Sequence, residues 1–261
     1  MTKRPSLGLR GVGRKEQQGH PPEQDEVNPD SRDKYGRTPL SHAAGAAKGE
    51  RVVRLLLEWE KVNPESRDNY GRTSLFYAAG CGGEEAVKLL LERQEVDPEM
   101  RDNSGRTPLS YAASSIKGEG AVKLLLGQGE ANPESRDKQG RTPLSYGAEP
   151  GSNEVVKQLL ERQEVDPESR NTFGRTPLLY APRWGCEDVV KLILEREEVN
   201  PEMQDNESRT QLSYAADGWS EDVVKLLLER QEVNPDSQDN NGRTPLSYAA
   251  GRGWEDAVKL T

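Results

Sequence analysis

An arginine–threonine pair recurs along this chain at residues 37, 72, 106, 141, 175, 209 and 243, always 34 or 35 residues apart. No other feature restricts the fold as tightly. Two more series keep the same step. The Asn/Asp-Pro-Glu/Asp triplets start at 28, 63, 97, 132, 166, 200 and 234, and the leucine-rich cores carry a valine at 53, 87, 122, 156, 190, 224 and 258. The two longer steps come from one extra residue within "GAAKGER" and within "SSIKGEG". An insertion is tolerated there because such segments are surface loop. A fixed period of this length means a stack of supersecondary units, each too small to bury its apolar face alone.

Each unit reads in three parts. "NPESRDxxGRT" is rich in Asn, Asp, Pro and Gly, the residues of turns. Thr38, Thr107, Thr142, Thr176 and Thr244 then stand at N-cap positions, each followed by proline, whose missing N–H costs nothing at a helix start. "LSYAA" predicts a short first helix. "EEAVKLLLERQ" predicts a second, with acids in its first turn and the next proline as its stop. A helix of about two turns does not hold by itself in water, so the leucine triplet needs a neighbouring unit to cover it. Leu, Ile, Val and Phe make up less than a fifth of 261 residues, and the net charge is −9. That composition borders on disorder. Register overrides it, because the apolar residues fall in the same columns of every unit.

The unit resembles the ankyrin repeat, with a hairpin turn, "G-x-T-P-L" and two antiparallel helices. Its "GRTPLSYAA", "VVKLLLER" and "VNPESRD" are most similar to arrays common in fungal proteins. The resemblance covers residues 27–261 and implies an all-α fold: an α-solenoid of helix–turn–helix units joined by hairpin turns. Six full units and a truncated seventh are expected, after a disordered tail over 1–26. The histidine usual after "TPL" in the family is serine in five units, Phe76 in the second and Leu179 in the fifth. This removes a hydrogen bond that usually links neighbouring repeats. The glycine usual after the second helix is mostly missing, a departure that bears on loop geometry and not on the fold. No polar capping unit precedes Val27 and the sequence stops at "AVKLT", so a fragment of a longer protein is expected. The implied function is a non-catalytic protein–protein interaction scaffold that binds in a concave groove. The alternative is the recognition array of a larger signalling nucleotide-hydrolysing protein.

Charge and chemistry narrow the reading further. A net charge of −9 opposes a nucleic-acid-binding face. No apolar run reaches the roughly 18–20 residues of a membrane span. The first twenty residues lack the apolar stretch of a secretory signal. The expected location is the cytoplasm, with the nucleus left open, and a monomer is expected. His20 lies in the tail, and His42 fills a tyrosine column as a packing residue. Cys81 and Cys186 sit three units apart, too far to bridge or share a metal. No phosphate-binding loop is present, no cofactor is expected, and the protein is not read as an enzyme.

Columns that stay nearly constant serve the unit. Asp33, Asp68, Asp102, Asp137, Asp205 and Asp239 form one such column; the arginines that open the "RT" pairs form another; Arg32, Arg67, Arg101, Arg136 and Arg170 form a third. They read as turn-capping acids with arginine partners, exposed pairs each worth about 0–1 kcal/mol. Irregular columns are where a partner could be read. Before the turn glycine, these give Tyr35, Tyr70, Gln139 and Phe173; one position earlier, Lys34 and Lys138. The loop after the first helix adds Trp184, Trp219 and Trp254, with Arg183 and Arg252 beside them. Aromatic residues with arginine are what interface hot spots favour. Trp59, which follows a leucine triplet, reads as packing. Trp219→Ala is expected to leave the circular-dichroism spectrum intact and to weaken partner binding; a collapsed spectrum would make Trp219 structural.

Overall fold

The structure is a computed structural model that describes residues 27–127, 129, 131–181, 185–218 and 220–256. The tail over 1–26 and the last residues of the seventh unit lie outside the described residues. Those described form twelve α-helices, mostly in consecutive pairs. The pairs are α1 Pro39–Ala44 with α2 Glu50–Leu57, α3 Ser74–Cys81 with α4 Glu84–Leu91, α5 Pro108–Ala113 with α6 Glu119–Gly127, and α7 Pro143–Ala148 with α8 Asn153–Leu160. Unit five pairs a 3-10 turn, Pro177–Leu179, with α9 Glu187–Leu194. Unit six pairs α10 Gln211–Asp217 with α11 Glu221–Leu228, and α12 Pro245–Arg252 opens unit seven. First helices stack on first helices (α1 on α3, α3 on α5, α10 on α12), and second on second (α2 on α4 through α9 on α11). This is the expected all-α solenoid. No helix among the described residues is long and apolar enough to cross a membrane.

The stacking buries what a unit alone would expose. Val52 in α2, which has no described unit before it, is 49% exposed, whereas Ala86, Val155 and Val223 in the same column are at most 4% exposed. The column of Leu40, Leu75, Leu109, Leu144, Leu178 and Leu212 is buried throughout, but Leu246, with no described unit beyond it, is 40% exposed. Each burial of this kind is worth about 1.5–3 kcal/mol.

A hairpin turn opens every unit. The Asp33 N–H donates to the Arg37 carbonyl at 3.0 Å and the Gly36 N–H to the Asp33 carbonyl at 2.9 Å. Gly36 has φ near +80°, and a Cβ there would stand 2.9 Å from the Asn69 backbone nitrogen. Glycine is therefore needed twice, for left-handed backbone and for the approach of the next unit. That approach is a hydrogen bond from the Asn69 N–H to the Tyr35 carbonyl at 2.9 Å, repeated by Asn103 to Tyr70, Lys138 to Ser104, Thr172 to Gln139, Asn206 to Phe173 and Asn240 to Glu207.

Two expectations about the helices are corrected. Thr176 does not cap with its side chain, whereas Thr38, Thr107, Thr142, Thr210 and Thr244 each accept the N–H of a serine three residues on. The five capping units are those with that serine; Thr73 and Thr176 are followed three residues on by Phe76 and Leu179 instead, and their buried hydroxyls have no hydrogen-bond partner among the described residues. Losing this bond does not shorten α3, so the 3-10 turn of unit five has another cause. Pro182 has no N–H and disfavours helix in the residue before it. The second helices end at the third leucine or its equivalent in most units, well before the proline. There the backbone turns by bonds such as the Val96 N–H to the Arg93 carbonyl, 3.1 Å. Arg93, Arg196 and Arg230 reach back to the carbonyls of Leu57, Leu160 and Leu194, the last residues of the preceding unit's second helix. A cation at a helix C-terminus is favourable for both charge and hydrogen bonding.

Leu125 is 1% exposed in the centre of the stack. Leu125→Ala should cost about 2–5 kcal/mol in a denaturant melt; a loss below about 0.5 kcal/mol would show that the leucine triplet is not core.

Candidate functional site

The tip of each unit is built around its aspartate. In unit two, Asp68 Oδ1 accepts the N–H groups of Tyr70 at 2.8 Å and Arg72 at 2.9 Å, which closes the turn. Asp68 Oδ2 accepts from Arg72 Nε at 3.0 Å and from the Tyr77 hydroxyl at 2.5 Å, which ties the tip to α3. Asp33, Asp102, Asp137, Asp205 and Asp239 accept the same two backbone N–H groups. Tyr111, Tyr146, Tyr214 and Tyr248 repeat the hydroxyl bond. His42 takes the tyrosine's place with Nε2 3.1 Å from Asp33 Oδ2, and its side chain is half exposed. It is a hydrogen-bonding stand-in, not the packing residue expected.

The tip arginines also lie over the tyrosine rings. Arg106 is 4.0 Å from the Tyr111 centroid and 4.2 Å from Tyr146; Arg141 is 4.0 Å from Tyr146 and 4.4 Å from Tyr180. Guanidinium and phenol alternate from unit to unit, which stiffens this face.

The periodic columns that read as turn chemistry also stitch units together. Arg32 donates to the Arg67 carbonyl, Arg67 to that of Arg101, Arg101 to that of Arg136, and Arg136 to that of Arg170. The triplet acids do the same, a role that sequence reasoning missed. Glu99 accepts the Asn132 N–H at 2.8 Å and the Ser135 hydroxyl at 2.8 Å, and Glu134 accepts from Asp166 and Ser169. The signal was available: an acid and a serine one unit apart, repeated at the array's own period. These bonds link neighbouring units where the usual histidine is missing. The serine in the histidine column adds little: the Ser41 hydroxyl of α1 meets Ser74, at the start of α3, only at 3.4 Å.

Burial alone would raise the Asp68 and Asp205 carboxyls, but bonds from Tyr77 or Tyr214 and from the neighbouring arginine hold both below the ordinary 3.8. Glu65, Glu134 and Glu202 move the other way, since burial outweighs their donors and raises them above 4.5.

The candidate partner-binding residues divide. Tyr35, Tyr70 and Phe173 are 42%, 54% and 51% exposed at the tips of units one, two and five, each beside the arginine of its own turn. Lys34, Lys138 and Gln139 are exposed too, with the Lys34 ammonium 4.8 Å from the Tyr35 ring. The column of Lys34 and Lys138 is not wholly free of scaffold duty. Where it holds asparagine, as at Asn69, Asn103, Asn206 and Asn240, the side chain bonds to the same column of the preceding unit.

Trp254 is corrected: it is 8% exposed and belongs to the hydrophobic core. The three tryptophans fall nine, ten and eleven residues after Arg175, Arg209 and Arg243, so they do not share a column. Trp254 takes the eleventh place, that of Ser220 and Cys186, which stand just before second helices; Ser220 is buried and Cys186 packs partly buried against the core. Arg252 is exposed but pairs with Asp217 of the preceding unit at 2.8 Å. Arg183, Trp184 and Trp219 lie outside the described residues. Trp59 packs against the core, as expected. Cys81 and Cys186 are both free thiols.

One cleft joins tip to helix. Gln139 and Phe173 from the tips of units four and five share it with Glu149 from the loop after α7, and with Leu179, Tyr180 and Tyr214. The tips and the loop after the first helix therefore line one surface here.

A family model described as ankyrin repeats (3 copies) matches residues 23–102, 46–137, 86–171, 114–205, 148–239 and 197–260, overlapping spans that run nearly end to end. No curated protein matches the sequence.

The lowered tip carboxyls carry a sign. Folding stability from Asp68 is present above the unfolded value near 3.8 and is lost as pH falls from there through the lower native value. Asp68→Asn should cost about 1.5–3 kcal/mol at neutral pH, the range for hydrogen bonds to a charged group. In urea melts, the gap from the parent protein should close as pH drops below 3.8; a gap that ignores pH would mean the charge contributes nothing.

Proposed function

The chain belongs to the ankyrin-repeat family, whose repeats are generally protein–protein interaction modules, and on that premise we propose that it is a non-catalytic scaffold that binds its partner along the tip face. The groove runs over the hairpin tips and the loops after the first helices. The observation that carries this reading is the row of exposed Tyr35, Tyr70 and Phe173, each lying near an arginine of its own turn. The aromatic rings are solvated yet held on turns that hydrogen bonds lock, so little side-chain freedom is lost on binding. Arginine over an aromatic ring is also a favoured hot-spot pairing. Lys34, Lys138 and Gln139 supply the polar rim. The free thiols of Cys81 and Cys186 suit a reducing compartment, in keeping with a cytoplasmic scaffold.

The joint variant Tyr35→Ala, Tyr70→Ala, Phe173→Ala tests the reading. Its urea melt should match that of the parent protein, because these side chains stand outside the core. Capture of partner from source cells should fall by about tenfold or more. Full capture by the folded variant would refute the tip face as the binding surface.

A further inference from the structure

We propose that the cleft at unit five is a carboxylate-binding subsite, in which Arg175 receives a carboxylate from an extended peptide segment of the partner. The inference rests on the tip face being the binding groove. The carboxylate is either a glutamate or aspartate side chain or the free α-carboxylate that ends a polypeptide, and the probes below separate the two.

Unit five is where the tip chemistry breaks. Asn171 stands in the aspartate column. Its Oδ1 still accepts the Phe173 and Arg175 N–H groups at 2.9 Å each, so the turn is preserved. Its Nδ2 donates to the Tyr180 hydroxyl at 2.7 Å. An amide nitrogen cannot accept from a guanidinium, so the second half of the usual arrangement is gone.

The other tip arginines all bond elsewhere. Arg37, Arg72 and Arg243 donate to the aspartate of their own turn. Arg106 donates to Ser114 at 3.0 Å, Arg141 to Glu149 at 2.6 Å and Arg209 to the Tyr214 hydroxyl at 2.6 Å. The buried Nε atoms of Arg106, Arg141, Arg175 and Arg209 all lack a hydrogen-bond partner among the described residues, but only Arg175 has no hydrogen bond from its terminal nitrogens there either. Its nearest acid is Asp205 Oδ2, 3.6 Å from Nε, beyond hydrogen-bond reach. Eight residues after the tip arginine, units three and four supply the acceptors Ser114 and Glu149; unit five has Arg183 there, which offers none.

The acids near Arg175 are already engaged. Glu149 pairs with Arg141 at 2.6 Å, and Asp205 takes the Tyr214 hydroxyl at 2.7 Å and the N–H groups of Glu207 and Arg209. Glu207 lies 3.4 Å from Arg209. Arg175 itself is oriented, 5.7 Å from the Phe173 ring and 5.5 Å from the Tyr214 ring. Aromatic contact occupies the faces of a guanidinium and leaves its edge of N–H donors to bind a carboxylate, bidentately where space allows. The cleft holds about 180 Å³ and presents Phe173, Leu179, Tyr180 and Tyr214 beside those donors. Such partly apolar walls strengthen a charge-assisted hydrogen bond.

The test follows the arginine Nε–H resonances of the 261-residue chain, with Arg175 assigned through Arg175→Lys. Three probes are titrated: an N-acetylated, C-amidated Ala-Ala-Glu-Ala-Ala peptide, its glutamine counterpart, and N-acetylated Ala-Ala-Ala with a free C-terminus. A carboxylate probe should move the Arg175 signal while the glutamine peptide does not, and whichever carboxylate probe acts names the source. Asn171→Asp, which returns an internal carboxylate to Arg175, should weaken that probe by about tenfold. Should that variant not fold, Arg175→Gln is used and read at the Nε–H signal of Arg141, which lines the same cleft; any difference there between the carboxylate probe and the glutamine peptide should be lost. Equal effects of the glutamate and glutamine peptides, or unchanged binding to folded Asn171→Asp, would overturn the subsite. So would shifts at Arg37 and Arg72, the arginines beside Tyr35 and Tyr70, with none at Arg175, a result that leaves the tip face standing as the groove. The groove itself fails only through the joint tip variant keeping full capture.

Discussion

The aspartate of the tip turn does more than close a loop. One oxygen fixes two backbone N–H groups, and the other ties the arginine of the turn and the tyrosine of the first helix to the same point. Turn and helix therefore move as one body, although neither has the length to be stable alone. The cost of holding a carboxylate among buried groups is offset by its donors, which keep it ionised below the ordinary aspartate value. Six units share the backbone half of this arrangement, and arginine and tyrosine both reach the second oxygen at Asp68, Asp205 and Asp239. The geometry of the face that carries the exposed aromatics depends on it.

Contacts between units follow the same economy of parts. The tip backbones pair from one unit to the next, Arg32 and its column reach forward to the next unit's carbonyls, and Arg93, Arg196 and Arg230 reach back to cap the preceding helices. Most periodic polar residues are thus occupied by their neighbours. A binding chemistry has to come from residues that leave this pattern, and unit five leaves it most, through Asn171, Leu179 and its shortened first helix.

Much of the fold is legible in the sequence because each element repeats. Period, turn residues, cap threonines and leucine columns all point to one stack, and the first helices start where the Thr-Pro pairs place them. The departures have local causes. Thr176 reads as a cap from its own identity, but the cap bond needs the serine three residues later, and Leu179 stands there. The second helices stop early because back-bonding turns and a reaching arginine satisfy their last carbonyls, which a proline rule does not register. The three tryptophans look equivalent as members of one loop. A drift of one residue per unit puts Trp254 in the place that Ser220 holds just before a second helix, and in the core.

The candidate site was legible in part. Tyr35, Tyr70 and Phe173 stand out because a column that varies is not dictated by the repeat, and they are exposed in the folded protein. The deficit at Arg175 was not legible, although the replacement of aspartate at Asn171 is plain in the sequence. Counting residues cannot tell whether an arginine finds another acceptor, as Arg106 and Arg141 do eight residues on. The sequence by itself determined the stack, its period and its columns, because helix, turn and apolar pattern are local properties repeated in register. Only the tertiary structure decided which side chains bond across units, that Trp254 is buried and which guanidinium has no hydrogen-bond acceptor among the described residues. Those outcomes depend on distances of a few ångströms between residues some 33–36 apart in sequence, set by how one unit seats on the next.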